Sequence, residues 1–263
     1  MPFTTAKDGT RVYYEVHGSG PAVLFVHGSG GHHAAWWQQV AALRERYTCI
    51  TVDLRGFGRS GGPTAEVDAR EFPRDVAAAI DASGVDRVVL AGQSIGAAAA
   101  LKAALARPQA VAGVILAHSL GGIRHPELSA LVAADRAEAT RLPVIDRLLS
   151  PEFRAAHPDR TFLFQQMGTF NTATMADLRN LNTDGPSVDD VLTSGIPVCF
   201  LAGERDAELR EATVERAAQI LTGARLDIVP GAPHSMYWEA PEQFNAAVER
   251  FLTDVYENRQ VSA

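Results

Sequence analysis

Short runs of apolar, often β-branched residues alternate with longer alanine-rich stretches along most of this chain. RVYYEVHG (11–18) alternates apolar and polar positions and predicts an early strand in a hairpin. PAVLFVHG (21–28) is apolar until a closing glycine, the pattern of a strand buried on both faces. The same pattern returns in TCITVDLRG (48–56), DRVVLAGQS (86–94) and VAGVILAHS (111–119). Between these runs the spacing predicts helices over 34–47, over 69–84 with Gly84 as the closing residue, and over 96–108 up to Pro108.

After Ser119 the rhythm breaks. Residues 122–192 hold helix-like segments rich in large apolar side chains, among them Phe153, Phe162, Phe164 and Phe170, and no convincing strand. Strand patterns resume in IPVCFLAGERD (196–206) and RLDIVPGAPH (225–234), followed by an amphipathic helix over 241–256. Strand–helix alternation predicts a mostly parallel sheet with helices on both faces. The domain organisation expected is one α/β core from residues 1–121 and 193–263, with residues 122–192 inserted as a helical cap.

Composition narrows the function. The chain has 263 residues, 46% apolar and 21% charged, enough for one large domain with a substantial core. Its net charge of −7 and the lack of a basic cluster argue against a nucleic-acid partner. The N-terminal residues lack the basic start and apolar run of a secretory signal, so the expected location is cytoplasmic. No apolar run reaches the roughly 18 residues of a spanning helix, so no membrane association is expected. Cys49 and Cys199 lie in apolar runs and read as reduced core thiols, without metal-site spacing. The remaining expectation is a small-molecule substrate handled by a monomer or homodimer.

In open parallel sheets, reactive groups collect beyond the carboxyl ends of the strands. Ser94, Asp206 and His234 each follow a predicted strand and so fall on one edge of the sheet, although they are distant in sequence. Ser94 is the centre of Gly92-Gln93-Ser94-Ile95-Gly96, a G-x-S-x-G pattern at a strand-to-helix junction, which suits a serine raised on a sharp turn. A serine hydroxyl needs a base, and His234 is the one histidine after the last strand. The base needs an anion to orient it. Asp206 is the expected acid, with Glu204 and Glu208 as neighbouring competitors. The segment after the fourth buried strand, ILAHSLGG, offers no carboxylate for that role. The backbone N–H groups of Ser29, in HGSGG, and of Ile95 are the expected oxyanion hole, with His27 bracing the glycine loop from behind.

The expected substrate-binding residues are His32, Trp36, Trp37, Ser119, Phe164, Met167, Phe170, Met236 and Trp238. Two adjacent tryptophans on one helix cannot both face the core, so one of Trp36 and Trp37 is expected to line the site.

Taken together, VHGSGG, VDLRGFGRS, GQSIG, LAGERD and PGAPHSMYWEAPEQF resemble the α/β-hydrolase superfamily, in its order of nucleophile, acid and base and over nearly the whole chain. The resemblance implies the α/β-hydrolase fold, with a mostly parallel eight-stranded sheet and an inserted cap. It also implies a serine hydrolase for esters, lactones or related acyl compounds, working without cofactor or metal. DLRGFGRS (Asp53 to Ser60) resembles the family's turn after the fourth strand and reads as structural. A serine nucleophile speaks against dehalogenase and epoxide-hydrolase chemistry, which use Asp in relatives. Gln93 stands where many relatives carry histidine or another polar residue, with no loss of activity expected. The alternatives are a C–C bond hydrolase, lyase or cyclase using the same triad, or a slow-turnover ligand receptor on the same fold.

Overall fold

The structure, a computed structural model, describes residues 3–62, 66–181 and 183–257. The chain begins with β1 (Phe3–Thr5), β2 (Arg11–His17), β3 (Ala22–Val26), α1 (Trp37–Leu43), β4 (Thr48–Val52), β5 (Val67–Asp68) and α2 (Phe72–Ser83). It continues through β6 (Val88–Gln93), α3 (Ile95–Ala106) and β7 (Val111–Ala117). Next come α4 (Pro126–Ala139), α5 (Val144–Leu148), α6 (Pro151–Ala156), α7 (Pro158–Met167), β8 (Leu178–Arg179) and α8 (Val188–Ser194). The chain closes with β9 (Val198–Gly203), α9 (Glu211–Ile220), β10 (Arg225–Val229), α10 (Met236–Glu239) and α11 (Pro241–Glu257).

Eight strands form one sheet in the order β1-β2-β4-β3-β6-β7-β9-β10. The β1–β2 and β2–β4 pairs are antiparallel, and every pair from β4 to β10 is parallel. This is the mostly parallel eight-stranded sheet expected from the sequence. β1 and α9 carry no clear pattern in the sequence, and neither does the two-residue β8, which falls in the stretch read as without a strand.

Side chains alternate between two cores. Leu24 and Val26 of β3 face a cluster with Phe72 and Val76 of α2, Leu101 of α3 and Val214 of α9. Val23 and Phe25 face the opposite cluster, with Trp36, Leu43 of α1, and Phe244, Val248 and Phe251 of α11. β3, β4, β6, β7 and β9 are buried along their whole length, which is why they read as unbroken apolar runs. Gly84 closes α2 in the left-handed region, at φ 74°, where a side chain would be strained.

The chain leaves β3 for its neighbour β4 and leaves β6 for β7 on the other side. The carboxyl ends of the adjacent strands β3 and β6 therefore bracket the point where strand order reverses, the usual place for a crevice in such sheets.

Between β7 and β9 lie α4 to α8 and the two-residue β8, which pairs in parallel with β5. The segment between β7 and β9 is tied to the loops at this crevice. Thr172 and Ala173 donate backbone N–H groups to the Gly56 carbonyl at 3.1 and 2.8 Å. The Asn171 side chain donates to the Gly31 carbonyl at 3.2 Å and accepts from the Gly58 N–H at 2.9 Å. Among the described residues no helix is long and apolar enough to cross a membrane.

Candidate active site

Ser94 sits between the end of β6 and the start of α3 with φ 53° and ψ −119°, a strained backbone for a residue with a side chain. Two hydrogen bonds hold the turn: Ser94 N–H to the Ala117 carbonyl at 2.9 Å, and Ala97 N–H to the Ser94 carbonyl at 3.1 Å. The flanking glycines are required by close approach. A Cβ on Gly92 would lie 2.4 Å from the Gly96 carbonyl oxygen, and one on Gly96 would lie 2.4 Å from that of Val26. Backbone occupies both spaces, so the strand, the turn and α3 can only nest this tightly on glycine.

His234 follows β10, and Asp206 follows β9. His234 Nδ1 lies 2.9 Å from both oxygens of Asp206. Asp206 Oδ1 also accepts the N–H groups of Glu208 and Leu209, at 2.8 and 3.1 Å. A second imidazole reaches the same carboxylate: His118 Nδ1 lies 2.9 Å from Oδ2. Burial alone would push Asp206 up, but the charge of His234 and the N–H donors of His118 and His234 hold it well below the usual carboxylate range. Burial works against the imidazolium of His234, yet Asp206 more than offsets it and raises the pKa above its ordinary value. For His118 burial wins, and its pKa is lowered. The competing acids are engaged elsewhere: Glu204 accepts from the Gly231 N–H at 2.7 Å, and Glu208 pairs with Arg147 at 2.8 Å.

Ser94 and His234 line one cavity. No hydrogen bond joins Ser94 Oγ to His234, whose ring bonds Asp206.

The glycine loop after β3 packs directly on the elbow. A Cβ on Gly28 would lie 2.0 Å from Gln93 Oε1 and 3.4 Å from Ser94 Cβ. His27 is fully buried, with Nδ1 2.8 Å from the Gly28 carbonyl and Nε2 accepting the Leu54 N–H at 3.1 Å. Nδ1 therefore carries the proton, and burial lowers the pKa of the ring. Ile95 lines the cavity and Ser29 does not. Among the described residues no hydrogen bond from either backbone N–H is found.

The cavity has a volume of about 590 Å³ and lies between the sheet edge and the segment that follows β7, α4 above all. Leu120, Ile123, Leu128, Val132, Leu181 and Leu209 supply apolar wall, while Arg124 and Arg136 bring positive charge. One face of α4 forms much of the wall through Ser129, Val132, Ala133, Arg136 and Ala137, with Thr140 just beyond. Of the nine expected substrate-binding residues, only Ser119 lines this cavity.

The others are placed differently. Trp36, Met236 and Trp238 are buried in the core on the α11 side of the sheet, where Trp36 packs on Phe25 at a ring distance of 5.0 Å. Trp37 is 46% exposed and meets Trp238 edge-on at 6.5 Å. Met167 and Phe164 pack against the same core, Phe164 at 5.4 Å from Trp238. Phe170 is 67% exposed, with its ring 6.0 Å from that of buried His32. Trp36, Phe164, Met167, Met236 and Trp238 serve packing here, and the cavity opens instead on a face of α4 with mixed side chains.

Among the described residues two groups bring metal-capable atoms within 4.8 Å of one another: His118, Asp206 and His234, and His32, His33 and Asp53. In the first, those atoms are already hydrogen-bonded among themselves. In the second, Asp53 takes both His33 Nδ1 at 2.9 Å and the Arg59 N–H at 2.8 Å. Asp53 and its turn therefore act as scaffold, as does Arg55, which reaches Asp75 at 2.7 Å and Asp8 at 2.5 Å.

This fold and this edge-of-sheet site define a class. A model of the alpha/beta hydrolase family matches residues 23–247, and the chain belongs to that family. A thermophilic esterase from Thermogutta terrifontis, solved with malate bound, superposes with a TM-score of 0.80 at 26% identity, covering 96% of this chain and 97% of that one. The enol-lactonase of Burkholderia xenovorans LB400 shares the fold, with a TM-score of 0.77 at 21% identity over 96% and 100% of the two chains. In sequence, the chain is 26% identical over 250 residues to the 2-(acetamidomethylene)succinate hydrolase of Mesorhizobium japonicum, covering 89% of each. The chain is thus an α/β hydrolase with esterases, lactonases and other hydrolases among its relatives.

Proposed function

We propose that this protein is a serine hydrolase that cleaves a small ester or lactone through an acyl-enzyme, with Ser94 as nucleophile, His234 as base and Asp206 as the orienting acid. The observation that carries this reading is the shared cavity: Ser94 on its strained elbow and the Asp206-bound imidazole of His234 line the same space. His234 Nε2 takes the Ser94 proton as Oγ attacks the carbonyl carbon. Asp206 stabilises the imidazolium, and the N–H groups of Ile95 and Ser29 hold the oxyanion. The leaving oxygen then takes the proton from His234. A water, activated by the same imidazole, releases the acid and restores Ser94.

The apolar wall suits an acyl or alkyl chain. Arg124 and Arg136 have no ion-pair partner among the described residues. They favour substrates that carry a carboxylate away from the scissile bond. The side chain of Arg124 is steadied by a hydrogen bond from Nε to the Gly185 carbonyl, which leaves its terminal nitrogens for a ligand. The esterase solved with malate and the relative named for a succinate derivative support the same direction.

The test is turnover of short chromogenic esters by the wild type and by Ser94→Ala. The reading expects a loss of about ten-thousandfold or more in kcat. Equal rates in the two proteins would remove Ser94 from the chemistry.

A further inference from the structure

Asp206 serves two imidazoles. His234 Nδ1 lies 2.9 Å from Oδ1 and from Oδ2, while His118 Nδ1 lies 2.9 Å from Oδ2 alone. The two rings meet edge to face, with centroids 5.4 Å apart. The side chains of His118 and Asp206 are wholly buried. His118 also has a positive φ of 54°, in the left-handed region that non-glycine residues rarely adopt. It stands directly after β7, where its backbone N–H donates to the Leu201 carbonyl at 2.8 Å.

These contacts fix the proton on His118. A carboxylate only accepts, so the 2.9 Å contact requires Nδ1–H as donor. His118 Nε2 has no hydrogen-bond partner among the described residues, which suits a bare lone pair better than a buried N–H. The ring is therefore neutral. Around His118 the titratable groups are Asp206 and His234. Around His234 they are Asp206, His118, Glu208 and Arg147, with Ser94 on the same cavity wall. A cationic His118 would stand beside the imidazolium that His234 forms during catalysis, and burial opposes that second charge.

We infer that His118 is a positioning residue for the base: by donating to Asp206 it fixes the carboxylate's orientation and limits the pull that Asp206 exerts on His234. Each N–H donor stabilises the ionised carboxylate, lowers its basicity and so makes it a weaker partner for the next. With four donors on Asp206, the imidazolium of His234 is stabilised less than it would be by an unshared carboxylate. His234 thus stays a base that can release its proton to a leaving group near neutral pH. The position after β7, which has no acid to offer, instead supplies the acid's second partner.

The inference rests on the hydrolase reading only for its consequence in turnover, so the test has two arms. In the first, the pH profile of kcat/KM on a neutral chromogenic ester is compared for wild type, His118→Phe and His118→Asn. Phenylalanine fills the space without a donor, and the acid limb is expected to move up by about half to one pH unit. Asparagine places an amide nitrogen where Nδ1 stood, and the limb is expected to return to the wild-type position. An unmoved limb in His118→Phe, or an asparagine variant that behaves like phenylalanine, overturns the inference. In the second arm, the imidazoles of full-length protein are titrated by nitrogen NMR, which needs no turnover. His118 is expected to stay neutral with its proton on Nδ1, and His234 to titrate higher in His118→Phe. A cationic His118 at neutral pH, or a proton on Nε2, overturns the inference even if the phenylalanine variant does not fold. Absence of ester turnover would count against the hydrolase reading and leave the titration to decide this one.

Discussion

The side-chain amide of Gln93 donates to the backbone carbonyl of His234 at 3.4 Å, joining the residue before the serine to the loop that carries the imidazole. The Gln93 oxygen also fills the space that Gly28 leaves open. One buried side chain thus touches the elbow, the glycine loop and the His234 loop. Gln93→Leu keeps the bulk and loses the amide. It is expected to lower kcat on a short ester by about threefold to tenfold, the equivalent of one modest hydrogen bond, with little change in KM. Steady-state kinetics on the purified variant checks this.

The elbow's packing predicts a stability effect. A methyl group on Gly96 would meet the carbonyl oxygens of Val26 and His27 at 2.4 and 2.5 Å, and neither can move without disturbing β3 and its exit loop. Gly96→Ala is expected to destabilise the fold by about 2–4 kcal/mol. Gly30→Ala is its control, because a Cβ there has nothing within 4 Å. Urea unfolding of the two variants measures the difference, and equal midpoints would contradict the packing argument.

Buried neutral imidazoles predict how stability responds to acid. Burial takes His32 down to about 4, and it lowers His27 and His118 as well. In the unfolded chain these rings take protons near pH 6.5. Between that value and about 4, the unfolded state binds more protons than the folded state at His32, so stability falls as pH falls through this window. His234 has the opposite sign. Its raised pKa contributes stability that is full below the unfolded value and lost as pH rises through the folded one. Three rings oppose one, and the melting temperature is expected to drop from pH 7 to pH 5. The drop should be shallower in His32→Gln. A flat profile in the wild type would contradict the burial of these rings in neutral form.

Charge in the cavity predicts selectivity. The monomethyl ester of adipic acid, compared with methyl hexanoate, should have the higher kcat/KM in the wild type. In Arg124→Gln/Arg136→Gln that preference is expected to shrink by about threefold to tenfold, the scale of two exposed charge contacts, while methyl hexanoate changes little. Loss of both activities together would assign the arginines to structure.

Most of the sheet was legible because its central strands are buried on both faces and read as unbroken apolar runs, as in Ala22 to Val26 of β3 and Val88 to Ala91 of β6. The short edge strand β1 and the mixed-polarity α9 lack that signature. The elbow was legible from Gly92 and Gly96, where steric demand leaves one residue type. The cavity wall was not. The lining face of α4 repeats at helical spacing but mixes Ser129, Val132, Ala133 and Arg136, so hydrophobicity does not mark it. Phe164 and Met167 do carry an apolar signal, and the core beneath Trp238 uses it. The partnership of His118 with Asp206 links residues 88 apart in sequence and leaves no local pattern to read.

The most direct measurement of the central claim is mass spectrometry of the intact protein after treatment with a fluorophosphonate, followed by peptide mapping. A single phosphonyl adduct on Ser94 is expected, formed quickly in the wild type, slowly in His234→Ala and not at all in Ser94→Ala. An adduct on another residue, or equal labelling of the wild type and Ser94→Ala, would contradict it.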